Sequence, residues 1–448
     1  MDLNLNRRQF FTACLASGLS LAAAEELWAA AHAADFDFEG ICRKVGWSPN
    51  DPDAFFFLHA TDLHSSEVEV GALRMPHKFE GKCFVQDMNA LDPRPAFVAL
   101  TGDLISMTSM NPNTWDRAEQ YFARYKKIIC DRLEIPFWQI IGNNDCAAVP
   151  YKKVFPELPV YWSFERGGIC FAGLHGYNCW GEKTSNHSGI LYDADQLAWL
   201  GEIVAKTHAR TLVLFTHEPL KDADQHRARR QLAPIVQSFQ GEAVWNIAGH
   251  NHGNSDRVIQ LGGRPMRVVE SLTPVGSWVP ADGLYRLLFA KNGLITASAY
   301  RWLTKDGEPL GFAEVPNWEN PAPMETLEEA FGKKCRRFWL VGEDDAEIRA
   351  GCENMEDRLS NLYFRRNAFA SWNLPTRLDG EPVRTVYLGF IGKPRGTVTL
   401  TADGAEPQTF PAAAEFELPE AFRKTENFRV RIDSGENTEF RICALGVR

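Results

Sequence analysis

AFFFLHATDLH, residues 54–64, decides how this chain is read. Its first seven residues form an apolar run too short for a typical helix, which reads as a strand buried on both faces. The run stops at Thr61-Asp62-Leu63-His64, where a carboxylate and an imidazole stand two positions apart. The same grammar recurs along the chain. PAFVAL (95–100) leads to Thr101-Gly102-Asp103, and PFWQII (136–141) to Gly142-Asn143-Asn144-Asp145. RTLVLF (210–215) leads to Thr216-His217, and AVWNIA (243–248) to Gly249-His250-Asn251-His252. In layered α/β folds, sites form beyond the carboxyl ends of strands, where loops converge.

Imidazole and carboxylate without thiolate suit manganese, iron or zinc. In Asp62-Leu63-His64 and in His250-Asn251-His252, extended backbone would send positions i and i+2 to one side, so one loop can supply two ligands. The glycines at 102, 142 and 249 are expected to let the chain turn tightly after each strand. Asp103 is the natural carboxylate to bridge two cations.

The ordered set Asp-x-His, Gly-Asp, Gly-Asn, His, Gly-His-x-His resembles the signature of calcineurin-like metallophosphoesterases over roughly residues 54–303. The resemblance implies a four-layer α/β/β/α sandwich. It also implies that Asp62, His64, Asp103 and His252 hold one metal, and that Asp103, Asn143, His217 and His250 hold the other. Two divalent or trivalent ions (manganese, iron or zinc) would then present a bridging hydroxide to a phosphomonoester or phosphodiester. A second, local likeness joins Ile169–Leu174, Gly189-Ile190-Leu191, Gln196-Leu197 and Trp199-Leu200 to the cyclic-nucleotide-phosphodiesterase-like members.

One position departs from the pattern. Most of the family has His after the ligand Asn, and here Asn144 follows, then Asp145. An amide donates a hydrogen bond but no acidic proton. Asn144, Asp145 and His175 (at the end of ICFAGL) are the candidate catalytic residues, with His187 as a further stand-in. The alternative function is a metal-bound phospholigand-binding protein with weak or no catalysis because of Asn144. Neither a Walker-type loop nor a G-x-S-x-G elbow is present.

The rest of the chain sets the context. It has 448 residues, 45% of them hydrophobic, with a net charge of −10, enough to build a large core and unsuited to coating nucleic acid. Its densest basic run, Arg227-Ala228-Arg229-Arg230, reads as a solvated helix face. Residues 1–33 resemble a twin-arginine export signal: Arg7-Arg8, the apolar run LASGLSLAAA, then Ala31-His32-Ala33. The expected partners are therefore the twin-arginine export machinery and a phosphorylated small-molecule or lipid substrate. The expected location is periplasmic or secreted, with no transmembrane segment in the mature chain. Ten cysteines, irregularly spaced and with Cys14 in the signal, do not form a complete disulfide framework. Residues 34–53 read as a linker and 54–318 as the metallophosphoesterase domain. The three prolines of PNWENPAP (316–323) mark a second linker. Residues 324–448 read as a smaller C-terminal β-rich domain, a sandwich or jelly-roll with helical material near 344–362. Its aromatics Trp339, Tyr363, Phe364 and Trp372 permit ligand binding, and a structural cap is the simpler role.

Overall fold

The structure is a computed structural model. It describes residues 37–65, 84–106, 115–145, 148–176, 192–274, 283–303, 309–340, 348–353, 362–436 and 439–448. The expected export signal, His187 and Gly189-Ile190-Leu191 lie outside the described residues.

In chain order the first region runs α1 (Phe38–Lys44), β1 (Ala54–Ala60), α2 (Phe84–Asn89), β2 (Val98–Thr101), α3 (Trp115–Ile128), β3 (Phe137–Ile140), α4 (Ala148–Val154), β4 (Trp162–Arg166), β5 (Ile169–Gly173), α5 (Ala194–Lys206), β6 (Thr211–Phe215), α6 (His226–Ser238), β7 (Ala243–Ala248), β8 (Ser255–Leu261), β9 (Arg264–Glu270), β10 (Gly283–Lys291), β11 (Leu294–Leu303), β12 (Pro309–Glu314) and β13 (Ala322–Pro323). These strands make two sheets, one in the order β12-β11-β10-β1-β2-β3 and the other β13-β8-β9-β7-β6-β5-β4. β1, β2 and β3 are parallel to one another, as are β5, β6, β7 and β9.

Period-2 alternation explains why each sheet is apolar on both faces. From β1, Phe56 and Leu58 join an outer core with Phe84, Met88, Phe122, Tyr125 and Tyr151 of α2, α3 and α4. Phe57 points the other way, into a core shared with Phe171, Val213, Phe215 and Ile247 of the second sheet. There Phe57 stacks on Phe97 at 4.8 Å and meets Phe171 edge-on at 5.3 Å. Leu200 and Val204 of α5 and Leu232 and Val236 of α6 cover the far face of the second sheet. The layers are thus α/β/β/α, and the carboxyl ends of β1, β2, β3, β6 and β7 gather at one end.

The two expected linkers pack against this body. Residues 37–53 carry α1, capped by Asp37, and Ile41 and Trp47 are buried in the outer core. Turn-rich composition in Ser48–Asp53 hid the apolar face just before it. In PNWENPAP, Trp318 stacks on Trp245, and Ala322-Pro323 pairs in parallel with β8.

The C-terminal region contains α7 (Leu327–Lys334), β14 (Arg337–Leu340), β15 (Ile348–Glu353), β16 (Leu362–Pro375), β17 (Arg377–Leu378), β18 (Glu381–Pro382), β19 (Thr385–Ile391), β20 (Thr397–Ala402), β21 (Ala405–Pro411), β22 (Glu415–Glu417), α8 (Glu420–Arg423), β23 (Asn427–Asp433) and β24 (Phe440–Val447). Its main sheet follows the order β21-β20-β23-β16-β24-β19-β22 around a separate apolar core. Of the helical material expected near 344–362, residues 344–347 and 354–361 lie outside the described residues, and the expectation is corrected at Ile348–Glu353, a strand paired antiparallel with β16. Gly351 weakens helical bias there, and sheet pairing prevails. Phe364 and Trp372 are interior, Phe364 stacking on Phe440 at 4.5 Å, so these rings fill the core instead of presenting a ligand surface.

Candidate metal centre

Five loops leave the strand ends and converge. Beyond β1 and β2 the two chains keep exchanging backbone bonds, Asp62 N to Gly102 O at 3.0 Å and His64 N to Asp103 O at 2.8 Å. That registers Asp62 and His64 beside Asp103. Across the sheets, His217 Nδ1 donates to Thr101 O at 2.7 Å and Gly249 N donates to His217 O at 2.9 Å.

Two overlapping groups result. Ligand atoms of Asp62, His64, Asp103 and His252 all lie within 4.8 Å of one another. His252 Nε2 is 3.2 Å from Asp62 Oδ1, and His64 Nε2 is 3.6 Å from Asp103 Oδ2. The second group meets on the other oxygen of Asp103. His217 Nε2 is 3.2 Å from Asp103 Oδ1 and 2.9 Å from Asn143 Oδ1, and His250 Nδ1 is 3.0 Å from Asn143 Oδ1. The fold therefore brings all seven sequence-derived ligand candidates together, with Asp103 between the groups.

The donor set fits cations. The outward bonds orient the rings: His217 uses Nδ1–H on Thr101 O, and His64 Nδ1 meets Ser106 Oγ at 3.0 Å. Each ring then turns its Nε2 inward. Those nitrogens crowd other polar atoms: His64 Nε2 and His252 Nε2 are 3.1 Å apart, and His217 Nε2 is 2.9 Å from the Asn143 oxygen, so a proton or a cation is needed between them. Asp62 Oδ1 is buried, with His252 Nε2 3.2 Å away. Acceptors crowded on acceptors repel unless positive charge lies among them.

The electrostatics agree. Burial alone would push the Asp62 carboxyl up, yet His252 and His217 hold it down at about 2. Asp103 is likewise driven well below the carboxylate range, burial being outweighed by His217, His64 and Asn144. Burial would depress His217, but Asp103 and Asp62 raise it to about 10. A proton on His217 thus supplies the missing charge when no metal does.

The backbone is unusual here. Asp62, His64, Asp103, His250 and His252 have φ of 55°, 46°, 50°, 71° and 51°. The expectation of extended backbone around the i, i+2 pairs is corrected, since left-handed residues turn both side chains into the site. This region is unfavourable for non-glycine residues, though Asp, Asn and His enter it most readily. The glycines also differ from expectation. Only Gly102 of the three has positive φ. At Gly249 a Cβ would strike the Thr61 side chain and Asp62 Oδ2, and at Gly142 it would strike Asp103 Oδ1. Space for the ligands, not turning, requires glycine at those two positions.

The candidate catalytic residues fall elsewhere. Asn144 donates through its backbone N–H to Asp103 Oδ1 at 2.8 Å and through Nδ2 to Asp103 Oδ2 at 2.7 Å. It orients the shared carboxylate. Asp145 accepts from Gly142 N at 2.6 Å and Ile105 N at 2.8 Å, tying the β2 and β3 loops together, and burial and the Asp103 charge raise it to about 8. His175 stands outside the quartet. Gln196 clamps its backbone, and burial lowers its imidazole to about 4, so at neutral pH it has no proton to give as an acid.

Sequence reading missed the residues that support the ligands. Thr61 Oγ1 donates to Asp62 Oδ2, Thr273 Oγ1 to Asp62 O, and Asn251 Nδ2 to Asp222 Oδ2. A signal existed: threonine ends three of the ligand-bearing strands, at 61, 101 and 216. The basic run on α6 also needs correcting. Arg229 is 2% exposed, on the same helical stripe as Leu232 and Val236.

No family model matches the chain. It is similar to the serine/threonine-protein phosphatase CPPED1 of Bos taurus, 27% identical over 197 residues, covering 38% of this chain and 58% of the relative. It is 30% identical over 144 residues to the Homo sapiens protein of the same name, covering 30% and 44%. The chain spans about half the length of the curated relatives it matches. Among solved structures, PhoD superposes with TM-score 0.39 and 11% identity over 63% of this chain and 76% of that one. The chain itself forms two facing sheets with flanking helices and a separate β-rich C-terminal region.

Proposed function

We propose that this protein is a calcineurin-like metallophosphoesterase that hydrolyses a phosphomonoester or phosphodiester. The observation that carries the reading is the convergence of seven candidate ligand side chains in two groups sharing Asp103, with buried imidazole nitrogens and carboxylate oxygens crowded together. In this reading Asp62, His64, Asp103 and His252 hold one ion, and Asp103, Asn143, His217 and His250 the other. When bound, the ions would polarise water and neutralise phosphate oxygens. The chain's own residues do the rest. Thr101 fixes the His217 tautomer, Ser106 anchors the His64 ring, Asn144 orients Asp103, and Asp145 holds two of the loops. The likeness to named phosphatases supports the same reaction class.

The metal (manganese, iron or zinc) and the phosphorylated small-molecule or lipid substrate belong to the same proposal. So does export by the twin-arginine machinery to the periplasm, which rests on Arg7-Arg8, the apolar run and Ala31-His32-Ala33. Among the described residues no helix is long and apolar enough to cross a membrane.

Aryl phosphomonoesters and diesters, assayed with added Mn²⁺, test the reading. Turnover is expected, and chelation or Asp103→Ala is expected to reduce it by a factor of about 10³ or more. Bound metal and phosphate without turnover on a broad panel would instead favour a phospholigand-binding protein.

A further inference from the structure

α7 of the C-terminal region lies close to the metal loops. Its N-terminus is fixed by a reciprocal cap: Thr326 Oγ1 accepts from Glu329 N and Glu329 Oε2 accepts from Thr326 N. This sets Glu328 in the first turn, facing α6. Arg229 meets it as a two-pronged pair, Nε to Oε1 at 3.0 Å and Nη2 to Oε2 at 2.6 Å. A planar guanidinium opposite a carboxylate fixes angle as well as distance.

The remaining arm of Arg229 points at the metal side. Nη1 donates to Leu220 O at 2.7 Å and Asp222 O at 2.6 Å, in the loop that follows His217. Asp222 in turn accepts from Asn251, the residue between His250 and His252. That short segment holds two left-handed ligands, at φ 71° and 51°. Backbone in that region persists only where its surroundings over-determine it. The chain of contacts Glu328–Arg229–Asp222–Asn251 supplies one such constraint from outside the α/β/β/α body.

We infer that Glu328 and Arg229 are positioning residues for the metal centre, making the C-terminal region a working part of the site and not only its cover. The inference rests on the metal assignment proposed above. With the C-terminal carboxylate in place, Arg229 is held at one angle and the 220–222 loop with it. The His250–His252 turn then keeps its ligands aimed inward.

The test uses the purified full chain, Mn²⁺ titration calorimetry, circular dichroism and turnover of an aryl phosphate. Wild type should take up two equivalents of Mn²⁺. If it takes up none, the metal assignment falls, and this inference with it, before any variant is made. Glu328→Gln keeps the shape and removes the charge. It should weaken both equivalents, since the turn gives His252 to one ion and His250 to the other, at least one of them tenfold or more, and lower kcat more than it raises KM. Arg229→Lys, which keeps charge without the fork, should do the same. Both equivalents unchanged alongside a lower melting temperature would mean that the pair merely fastens two regions, and would overturn the inference. Should Glu328→Gln not fold, Glu328→Asp decides the matter. An affinity between wild type and tenfold weaker supports positioning, and wild-type affinity overturns it.

Discussion

At the scale of single residues, the interior near the site contains a histidine that is not a ligand candidate. His59 is fully buried, its ring nitrogens 2.8 Å from Ser271 Oγ and from Thr101 Oγ1. Burial, and then the positive charge of Arg286, lower it from 6.5 to about 3. The fold therefore holds it neutral, whereas the unfolded chain protonates it near 6.5. Its contribution to stability is complete above pH 6.5 and is lost as pH falls towards 3, at about 1.4 kcal/mol per pH unit. Denaturant unfolding of chelated protein at pH 7, 6 and 5 should show this loss. His59→Gln should shallow the slope by about one proton relative to wild type, and equal slopes would show that the ring is not held neutral. The convergence of the seven candidate ligand residues was legible in the sequence because each follows a buried strand. Their left-handed backbone was not, because φ depends on how neighbouring loops crowd one another. Arg229 was misread because a basic run looks solvated until its helical stripe is traced.

At the scale of elements, strands were legible where apolar runs are unbroken, as in β1, β2, β5, β6 and β7, and β10 is likewise buried along nearly its whole length. β8, SDRVIQL, was not, since it lies near a sheet edge with polar residues alternating outward. α1 and β13 were missed for a related reason. Their hold on the body comes from tertiary contacts that no local window contains. The inter-sheet layer is where element packing governs stability. Phe171 of β5 is fully buried there against Phe57, Phe97, Phe164 and Phe215. Phe171→Ala should cost about 3–5 kcal/mol in urea unfolding, by lost transfer free energy plus a cavity. Metal uptake by the folded fraction should persist, because Phe171 touches none of the ligand residues in these contacts.

At the scale of the whole molecule, three apolar layers hold the α/β/β/α body together, and a separate core holds the C-terminal region. Such a chain can complete its interior before transport, as a twin-arginine route requires. Replacing both Arg7 and Arg8 by Lys should therefore trap folded, protease-resistant protein in the cytoplasm. Wild type should be recovered outside it, beginning at Ala34. Equal distribution of the two would sink the proposed export route. The C-terminal architecture was legible only as β-rich. Its strand order depends on long-range pairings such as β16 with β23 and β24, which sequence spacing does not reveal.

The left-handed turns at the ligands also limit redesign. Anyone hoping to retune metal preference by exchanging Asp62, His64 or His252 for other coordinating side chains begins with a conformational handicap. Glu, Cys and Met sit less comfortably at such angles than Asp, Asn or His, by roughly 1 kcal/mol before any coordination effect is felt. A saturation library at these positions should therefore return a narrow alphabet of survivors, set by main-chain geometry as much as by the ion.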